Sequence, residues 1–408
     1  MPTARGAVIH IDLQGTTHRI GTLRAVASRQ GERAGFEYDP AWLASPHRFA
    51  LEPALRLTAG TNYPPNDRAL FGAFSDSAPD RWGRTLMQRG ERQAAQREGA
   101  LHELDYLLGV SDISRQGALR FTALSGGPFL AAGDAGVPPL LRLPRLLVAA
   151  DQVDGGEGGD EDLRLLLAPG SSLGGARPKA SVRDDDGALA IAKFSRRSDE
   201  WPVVEWEAVA LRLAREAGVD AAPGRLLRVG DRQVLLTRRF DRRGETRVPY
   251  LSAMSLLGAR DNAAEPHSYP EIAEGLRRHG AAPRHDLAEL WRRMVFTVLI
   301  ANTDDHLRNH GFLWGGAEGW RLSPAFDLNP TPADVRPRVL STALTVDGDT
   351  TASLDRAFEV MAWFDLKLAG GKAIATEVGG AVARWRDAAT ELGLNRAQCD
   401  RMASAFEG

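Results

Sequence analysis

The hydrophobic pattern of the chain changes near residue 250, and this change limits the folds open to it. Before that point, short apolar runs such as AVIHIDL and ALAIAKF are separated by turn-rich stretches, a pattern typical of strands. After it, longer segments such as HDLAELWRRMVFTVLIAN place apolar residues at helical spacing. We therefore expect an α+β fold with a small mixed β lobe and a larger helical lobe.

Three parts are expected along the 408 residues, a length that allows two or three domains. Residues 1–125 mix strand-like runs with loops and form an accessory subdomain. Residues 126–245 carry a Gly-rich turn and the β lobe, and residues 246–408 form the helical lobe. The acidic, Gly-rich stretch at 151–162 has nothing to bury, so we expect a surface linker there.

Composition excludes several classes of protein. The formal net charge of -2 gives no overall attraction to nucleic acid or to acidic membranes. The single cysteine, Cys399, excludes an internal disulfide and a cysteine-rich zinc site. No stretch approaches the roughly 18 uninterrupted apolar residues of a membrane span. We therefore expect a cytoplasmic protein that does not engage a membrane.

A polar segment at 302–310, NTDDHLRNH, directly follows the apolar run MVFTVLI. Asp304 stands five residues before Asn309, the D-x-x-x-x-N spacing of a phosphotransferase catalytic loop. In such a loop the carboxylate accepts the proton of the acceptor hydroxyl, and the carboxamide oxygen binds magnesium. Because Asp305 lies only four residues before Asn309, the spacing selects Asp304 as the base and predicts that Asp305 faces solvent.

A second acid, Asp327, lies between apolar residues in PAFDLNP. An acid in an apolar setting is costly unless it binds a proton or a cation, and magnesium that bridges phosphate oxygens would supply that cation. Kinases split their metal ligands between an Asn of the catalytic loop and an Asp about twenty residues later. The sequence therefore predicts Asn309 and Asp327 as metal ligands.

The β lobe carries candidate nucleotide contacts. Lys193 closes the strand ALAIAKF, as the phosphate-binding lysine of a kinase does. Glu205 and Glu207 begin the next amphipathic helix, and either could pair with it. The turn SSLGGARPK lacks the Walker pattern, but its glycines allow backbone N–H groups to approach phosphates. Only four of the 51 basic residues are lysines, and Lys179 and Lys193 both fall in this lobe.

Other hypotheses fit single features of the polar segment. His306 and His310, four residues apart, could hold zinc, although Leu307 stands where a zincin has Glu. A structural loop capped by Thr303 or Asp304 is a second alternative. The order of the motifs, from Gly-rich loop and strand lysine to helix glutamate, catalytic loop and final Asp, favours a phosphotransferase.

Six segments together resemble the HipA family of bacterial serine/threonine kinase toxins: FGAFSDSAPDRWGR, SLGGARPKA, AIAKF, LLTRRFDRR, TDDHLRN and FDL. The resemblance implies a protein-kinase-like two-lobe fold with an N-terminal accessory subdomain, and dependence on ATP and Mg²⁺. It also implies a type II toxin–antitoxin system in which the chain pairs with a small DNA-binding, HipB-like antitoxin. No helix-turn-helix segment is evident, so DNA would be reached only through the antitoxin.

The resemblance implies that the chain phosphorylates a host protein, and it suggests an aminoacyl-tRNA synthetase as that target. A nucleotide-binding pseudokinase, or an antitoxin-binding regulatory module without phosphotransfer, is the alternative function. Intact acidic and lysine positions favour the active kinase.

Roles are carried over residue by residue. Asp304 would be the catalytic base, with Asn309 and Asp327 as metal ligands and His306 in the catalytic loop beside the nucleotide. The Gly-rich loop, the strand lysine and the hinge backbone would also bind the nucleotide, and these residues are Gly174, Gly175, Ala176, Arg177, Pro178, Lys179, Lys193, Arg238, Arg239 and Phe240.

The Gly-rich loop of the family bears a serine that the kinase phosphorylates on itself. Ser172 matches it, with Ser171 as the alternative because the serine is doubled. A phosphate there would add nearly two negative charges beside ATP, so loss of activity is expected. The hinge departs from the best-known member, which has an acid at the position of Arg238, and only backbone recognition of adenine is carried over.

Overall fold

The computed structural model describes residues 5–28, 31–66, 68–94, 100–132, 136–167, 175–260 and 266–407. Its strands are β1 Gly6–Leu13, β2 Thr16–Ser28, β3 Gly31–Tyr38, β4 Thr61–Asn62, β5 Leu119–Ala123, β6 Lys179–Arg183, β7 Leu189–Phe194, β8 Gly224–Val229, β9 Arg232–Arg238, β10 Arg242–Arg243, β11 Thr246–Arg247, β12 Tyr250–Ser252, β13 Gly311–Trp314 and β14 Trp320–Leu322.

The α-helices are α1 Pro40–Ala44, α2 Gly72–Ser75, α3 Arg81–Ala94, α4 Glu103–Gly109, α5 Leu143–Gly155, α6 Asp160–Leu167, α7 Val203–Glu216, α8 Ala253–Leu256, α9 Tyr269–His279, α10 Pro283–Leu299, α11 Leu354–Glu359, α12 Leu368–Val382, α13 Trp385–Glu391 and α14 Arg396–Phe406. Short 3-10 helices lie at Leu140–Arg142, Leu307–Asn309 and Met361–Phe364. Strands come mainly before residue 250 and helices dominate after it, which confirms the α+β class.

The chain forms two compact units. One comprises Met1–Arg197 with Arg238–Leu251, and the other comprises Ser198–Thr237 with Ser252–Gly408. The domain boundaries after residues 125 and 245 stay a prediction.

The first unit contains an antiparallel sheet of five strands in the order β4-β3-β2-β1-β5. Strand β1, which lies between β2 and β5, buries Ala7, Ile9 and Ile11 completely, because alternate side chains of a strand point to one face. Aromatic residues complete this core, and the rings of Phe36 and Phe74 lie 5.2 Å apart. The same unit holds the β6–β7 hairpin, whose register places Lys179 opposite Lys193.

The second unit is built mainly of helices around α10, which packs against α9 and α12. Trp291 of α10 is fully buried, and its ring lies 5.5 Å from those of Phe358 and Phe364. A second aromatic group stacks Trp385 on Phe406 at 4.7 Å. The buried helix expected for MVFTVLI is therefore confirmed, and α10 delivers the following polar segment from a rigid core.

Two predictions in the middle of the chain are confirmed: ALAIAKF forms β7, and the amphipathic helix that begins near Glu205 is α7. The following segments, RLLRVG and RQVLLTRRF, form the β8–β9 hairpin. Gly218 follows α7 with a φ of +74°, the left-handed conformation that a glycine at a helix end adopts without strain.

The linker expected at 151–162 is wrong, since α5 extends to Gly155 and α6 begins at Asp160. Gly156 ends α5 in the left-handed conformation. Asp160, Glu161 and Asp162 occupy the first turn of α6, where carboxylates interact favourably with the helix dipole. The acidic residues therefore belong to the beginning of a helix.

In the described part of the chain, no helix combines the length and the apolar character needed to cross a membrane.

Candidate active site

The polar segment begins with a sharp change of direction after α10. Ala301 has a φ of +46°, a left-handed conformation that is uncommon outside glycine. Asn302 and Thr303 are then buried, whereas the Asp304 side chain is 66% exposed. Its nearest described cation is Arg336, whose guanidinium lies 3.7 Å from the Asp304 Oδ1. Asp304 thus follows two buried residues, and its own side chain is open to solvent.

Asn309 is tied directly to Asp304. The Asn309 Nδ2 donates a hydrogen bond to the Asp304 carbonyl at 3.1 Å, and its backbone N–H donates to the His306 carbonyl at 2.8 Å. Because the Nδ2 is engaged, the Asn309 Oδ1 is the side-chain atom available to a cation. The hydrogen bond between Asn309 and Asp304 therefore closes the loop that connects these two residues. The segment does not start a helix at Thr303 or Asp304, so the capped-loop alternative lacks its cap.

Asp327 sits beside this loop in a strained conformation. Its φ is +58°, which Asp and Asn tolerate better than most residues. Two hydrogen bonds join its segment to the start of the polar segment: the Asn329 backbone N–H donates to the Asn302 Oδ1 at 3.2 Å, and that of Thr331 donates to the Ala301 carbonyl at 3.2 Å. Asn302 is a supporting residue that spacing alone did not single out.

A small cavity confirms how near the two segments lie. Asn309 lines it together with Phe326 and Leu328, the two neighbours of Asp327. The structure therefore brings Asn309 to the Asp327 segment.

The donor atoms fit magnesium. One carboxylate and one carboxamide oxygen are hard ligands of the kind Mg²⁺ prefers, and it normally keeps water and phosphate oxygens in its other positions. The strained backbone at Asp327 is also of the kind that gathers at functional sites. For zinc, the part of the chain that is described shows no group of three or more His, Cys, Asp or Glu able to hold a metal.

The expectation that Asp305 faces solvent is wrong. Asp305 is buried, its Oδ2 accepts a hydrogen bond from the Tyr269 hydroxyl, and the His310 Nε2 lies 3.2 Å from the same oxygen. The Thr342 hydroxyl donates to the Asp305 carbonyl at 2.6 Å. Burial alone would raise the pKa of Asp305, but His310 and Tyr269 together bring that pKa below its usual value. Asp305 and His310 therefore anchor the loop from inside.

This anchor predicts a large loss of stability when Asp305 is replaced by Ala. The change leaves Tyr269 and His310 buried without their partner, so we expect the free energy of unfolding to fall by about 3 kcal/mol or more. Chemical denaturation measures it. The matched control, Asp304→Ala, alters an exposed neighbour and should shift stability by less than about 0.5 kcal/mol. Equal effects of the two variants would contradict the anchor.

The lowered pKa of Asp305 determines how its contribution to the free energy of unfolding changes with pH. A carboxyl group whose pKa is lower in the folded than in the unfolded protein stabilises the fold fully at a pH above its pKa in the unfolded chain. That stabilisation is lost as the pH falls through its pKa in the folded protein. The stability difference between the wild type and Asp305→Ala should therefore narrow in acid.

The Gly-rich loop is described only from Gly175 onward, and Ser171, Ser172 and Gly174 lie outside the described residues. Gly175 has a φ of +101°, which favours glycine strongly. Lys179 is buried, and its ammonium lies 2.7 Å from the Asp80 carboxylate.

The glutamates predicted to meet Lys193 differ in burial. Glu205 is partly buried and burial raises its pKa, whereas Glu207 is almost fully buried. Which of them pairs with Lys193 stays a prediction.

The side chains of the hinge residues differ in burial. Arg238 is exposed and pairs with Asp186 at 2.9 Å. Arg239 is buried, its guanidinium bonds the Asp241 carboxylate, and its backbone N–H donates to the Leu189 carbonyl at 3.1 Å. The Phe240 ring lies 6.3 Å from that of Tyr250. The hinge is thus fixed from within its own unit, and its contact with adenine stays a prediction.

Comparisons with known proteins place the chain in a family. The family model described as the HipA-like C-terminal domain matches residues 171–407, and that of the HipA N-terminal domain matches residues 12–120. The Sinorhizobium fredii protein named "Putative kinase Y4mE" is 27% identical over 201 residues, covering 44% of this chain and 46% of that protein.

A second relative, the toxin YjjJ of Escherichia coli, is 26% identical over 172 residues, covering 40% of this chain and 38% of that protein. This chain thus spans less than half the length of these two relatives.

A solved structure shows the fold. A chain from the Shewanella oneidensis toxin–antitoxin complex of HipA, HipB and operator DNA superimposes with a TM-score of 0.68 at 16% identity, over 98% of this chain and 95% of that chain. The expected protein-kinase-like fold with an N-terminal subdomain is confirmed. Because the C-terminal model alone matches more than half of the residues, the chain belongs to the HipA family.

Proposed function

We propose that this chain transfers the γ-phosphoryl group of ATP to a serine or threonine of a host protein, as the toxin of a type II toxin–antitoxin system. The main support is the exposed Asp304, which is locked to Asn309 by the hydrogen bond from the Asn309 Nδ2 to the Asp304 carbonyl. That arrangement presents one base to solvent and one amide oxygen to a cation beside Asp327.

In the proposed reaction the Asp304 carboxylate accepts the proton of the acceptor hydroxyl. The hydroxyl oxygen forms a bond to the γ-phosphorus, the bond from that phosphorus to the bridging oxygen breaks, and ADP leaves. Magnesium held by Asn309 and Asp327 would neutralise charge on the phosphate oxygens. Asn302 and Asp305 hold the loop in place while these charges move.

Nucleotide binding is proposed for the backbone from Gly174 to Lys179, the Lys193 ammonium, His306 and the hinge backbone at 238–240. The β6–β7 hairpin supports this proposal, because its register places Lys193, at the end of β7, opposite Lys179, the residue that follows the Gly-rich segment.

The partner is proposed from the similar complex. The Shewanella oneidensis structure contains HipA, HipB and operator DNA. By analogy, we expect this chain to bind a small DNA-binding antitoxin and to meet DNA only through it. The proposed class of host target is an aminoacyl-tRNA synthetase.

The test uses the pure chain with γ-labelled ATP, magnesium and a protein extract from the host. Label should move to an acceptor protein and should depend on magnesium. If ATP binds but no label is transferred to any protein, the chain is a pseudokinase or a regulatory module.

Self-phosphorylation gives a separate prediction. Ser172→Ala should remove most of the label that the chain places on itself, since Ser172 matches the modified serine of the family. Mass spectrometry of the labelled peptide measures the site, and Ser171→Ala serves as the matched control. If label persists in Ser172→Ala but is lost in Ser171→Ala, the modified residue is Ser171.

A further inference from the structure

A buried ion pair joins the accessory region to the end of the Gly-rich loop. The Lys179 Nζ lies 2.7 Å from the Asp80 Oδ2, and both side chains are only 4% exposed. The Asp80 Oδ1 accepts a hydrogen bond from the Gly83 backbone N–H at 2.7 Å, in the first turn of α3. Asp80 therefore links a helix start to a lysine 99 residues away in the chain.

Trp82 holds the same segment at two further points. Its indole N–H donates to the Lys179 carbonyl at 3.1 Å, and its backbone N–H donates to the Gly175 carbonyl at 3.3 Å. The segment from Gly175 to Lys179 is thus held at both ends by residues of the motif APDRW.

The lysine ammonium also packs against the loop. A Cβ built on Gly175 would lie 3.0 Å from the Lys179 Nζ, so the ammonium occupies the space beside this left-handed glycine. Lys179 is placed opposite Lys193 by the β6–β7 register. Two lysines that face each other across a hairpin repel, and Asp80 neutralises Lys179. Lys193, by contrast, is only partly buried.

A buried ion pair often adds little to the stability of a protein, because variants with apolar residues in place of both partners are often as stable. What the pair of Asp80 and Lys179 does fix is the position of the two charged groups. The engaged, buried Lys179 ammonium is poorly placed to bind a phosphate directly.

We propose that Asp80 and Trp82 are positioning residues for nucleotide binding. They fix the segment from Gly175 to Lys179 so that its backbone N–H groups are ready for the phosphates, and Lys179 acts through Asp80 instead of binding phosphate itself. This inference rests on the proposed function.

The test compares Asp80→Asn, Lys179→Met, the double variant of both, and Trp82→Phe. Asn can still cap α3 at Gly83 and lacks only the charge. The double variant leaves no buried charge unpaired, so it should fold even if the single variants are unstable. Trp82→Phe keeps the ring and loses the indole donor.

Binding of a non-hydrolysable ATP analogue and the KM and kcat for ATP are measured on each folded variant. We expect the KM for ATP to rise about tenfold or more in each, because displacement of a positioning group by a fraction of an ångström has effects of that order. Effects of Asp80→Asn and Lys179→Met should not add, since both break one pair. The control Glu52→Gln replaces another buried acid of the same unit, which accepts a hydrogen bond from the Ala73 backbone N–H, and should leave KM unchanged.

Two results would overturn the inference. A folded double variant with the wild-type KM would make the pair merely structural. Intact binding in Asp80→Asn with lost binding in Lys179→Met would make Lys179 a direct phosphate ligand. If the wild type itself binds no ATP, the proposed function fails together with this inference, whereas wild-type binding with unchanged variants overturns the inference alone.

Discussion

Asp304→Asn should reduce phosphoryl transfer by about a thousandfold, the scale expected for loss of a general base. Asn keeps the size of the side chain but cannot accept the acceptor proton. Because the Asp304 side chain is 66% exposed and the loop is anchored by its neighbours, the melting temperature and the affinity for ATP should stay unchanged. Transfer of label from γ-labelled ATP measures the first effect, and calorimetry measures the other two.

The adjacent acid provides the control. Asp305→Asn removes the charge of a buried side chain that lies on Tyr269 and His310, so its first effect should be a lower melting temperature. The two neighbouring variants thus distinguish a residue that acts in phosphoryl transfer from a residue that stabilises the loop. If Asp304→Asn lowers stability as much as Asp305→Asn, or retains transfer within a few-fold of wild type, the assignment of the base is wrong.

Asp327→Asn should reduce transfer by about a hundredfold or more, as expected when an electrostatic group acting on the transferred phosphoryl is lost. Asn accepts the left-handed φ of +58° at least as readily as Asp, so the backbone should be retained. The charge alone is removed. The magnesium concentration needed for half-maximal transfer should rise, and titration with magnesium measures it.

Two further replacements separate the carboxylate from the backbone at this position. Asp327→Gly keeps the left-handed conformation without a side chain, whereas Asp327→Ala adds a strain of about 1–2 kcal/mol. Both should lose transfer, but only the Ala variant should lose stability. An unchanged magnesium requirement in Asp327→Asn would remove Asp327 from the metal site.

Local pattern was enough to predict the change from strands to helices along the chain and the proximity of Asp304 to Asn309. The strands before residue 250, the buried helix α10 and the loop that closes between Asp304 and Asn309 follow from periodicity and spacing. These features depend on residues close together in the chain, so a single sequence carries their signal.

Contacts between distant residues carried no such signal. Asp305 points inward because Tyr269, 36 residues earlier, offers its hydroxyl there. Lys179 meets Asp80 across 99 residues, and neither spacing nor composition relates the two. The Gly-rich segment suggested a phosphate loop, but which of its side chains are engaged depends on tertiary packing.

We propose that the chain phosphorylates serine or threonine with Asp304 as the general base. The most direct measurement is to incubate the wild type and Asp304→Asn with γ-labelled ATP, magnesium and host proteins, and to identify the labelled amino acid by mass spectrometry. The expected result is label on serine or threonine of an acceptor protein with the wild type and almost none with the variant, although both bind ATP equally. Equal label with both proteins, or no label while ATP is bound, would contradict the claim.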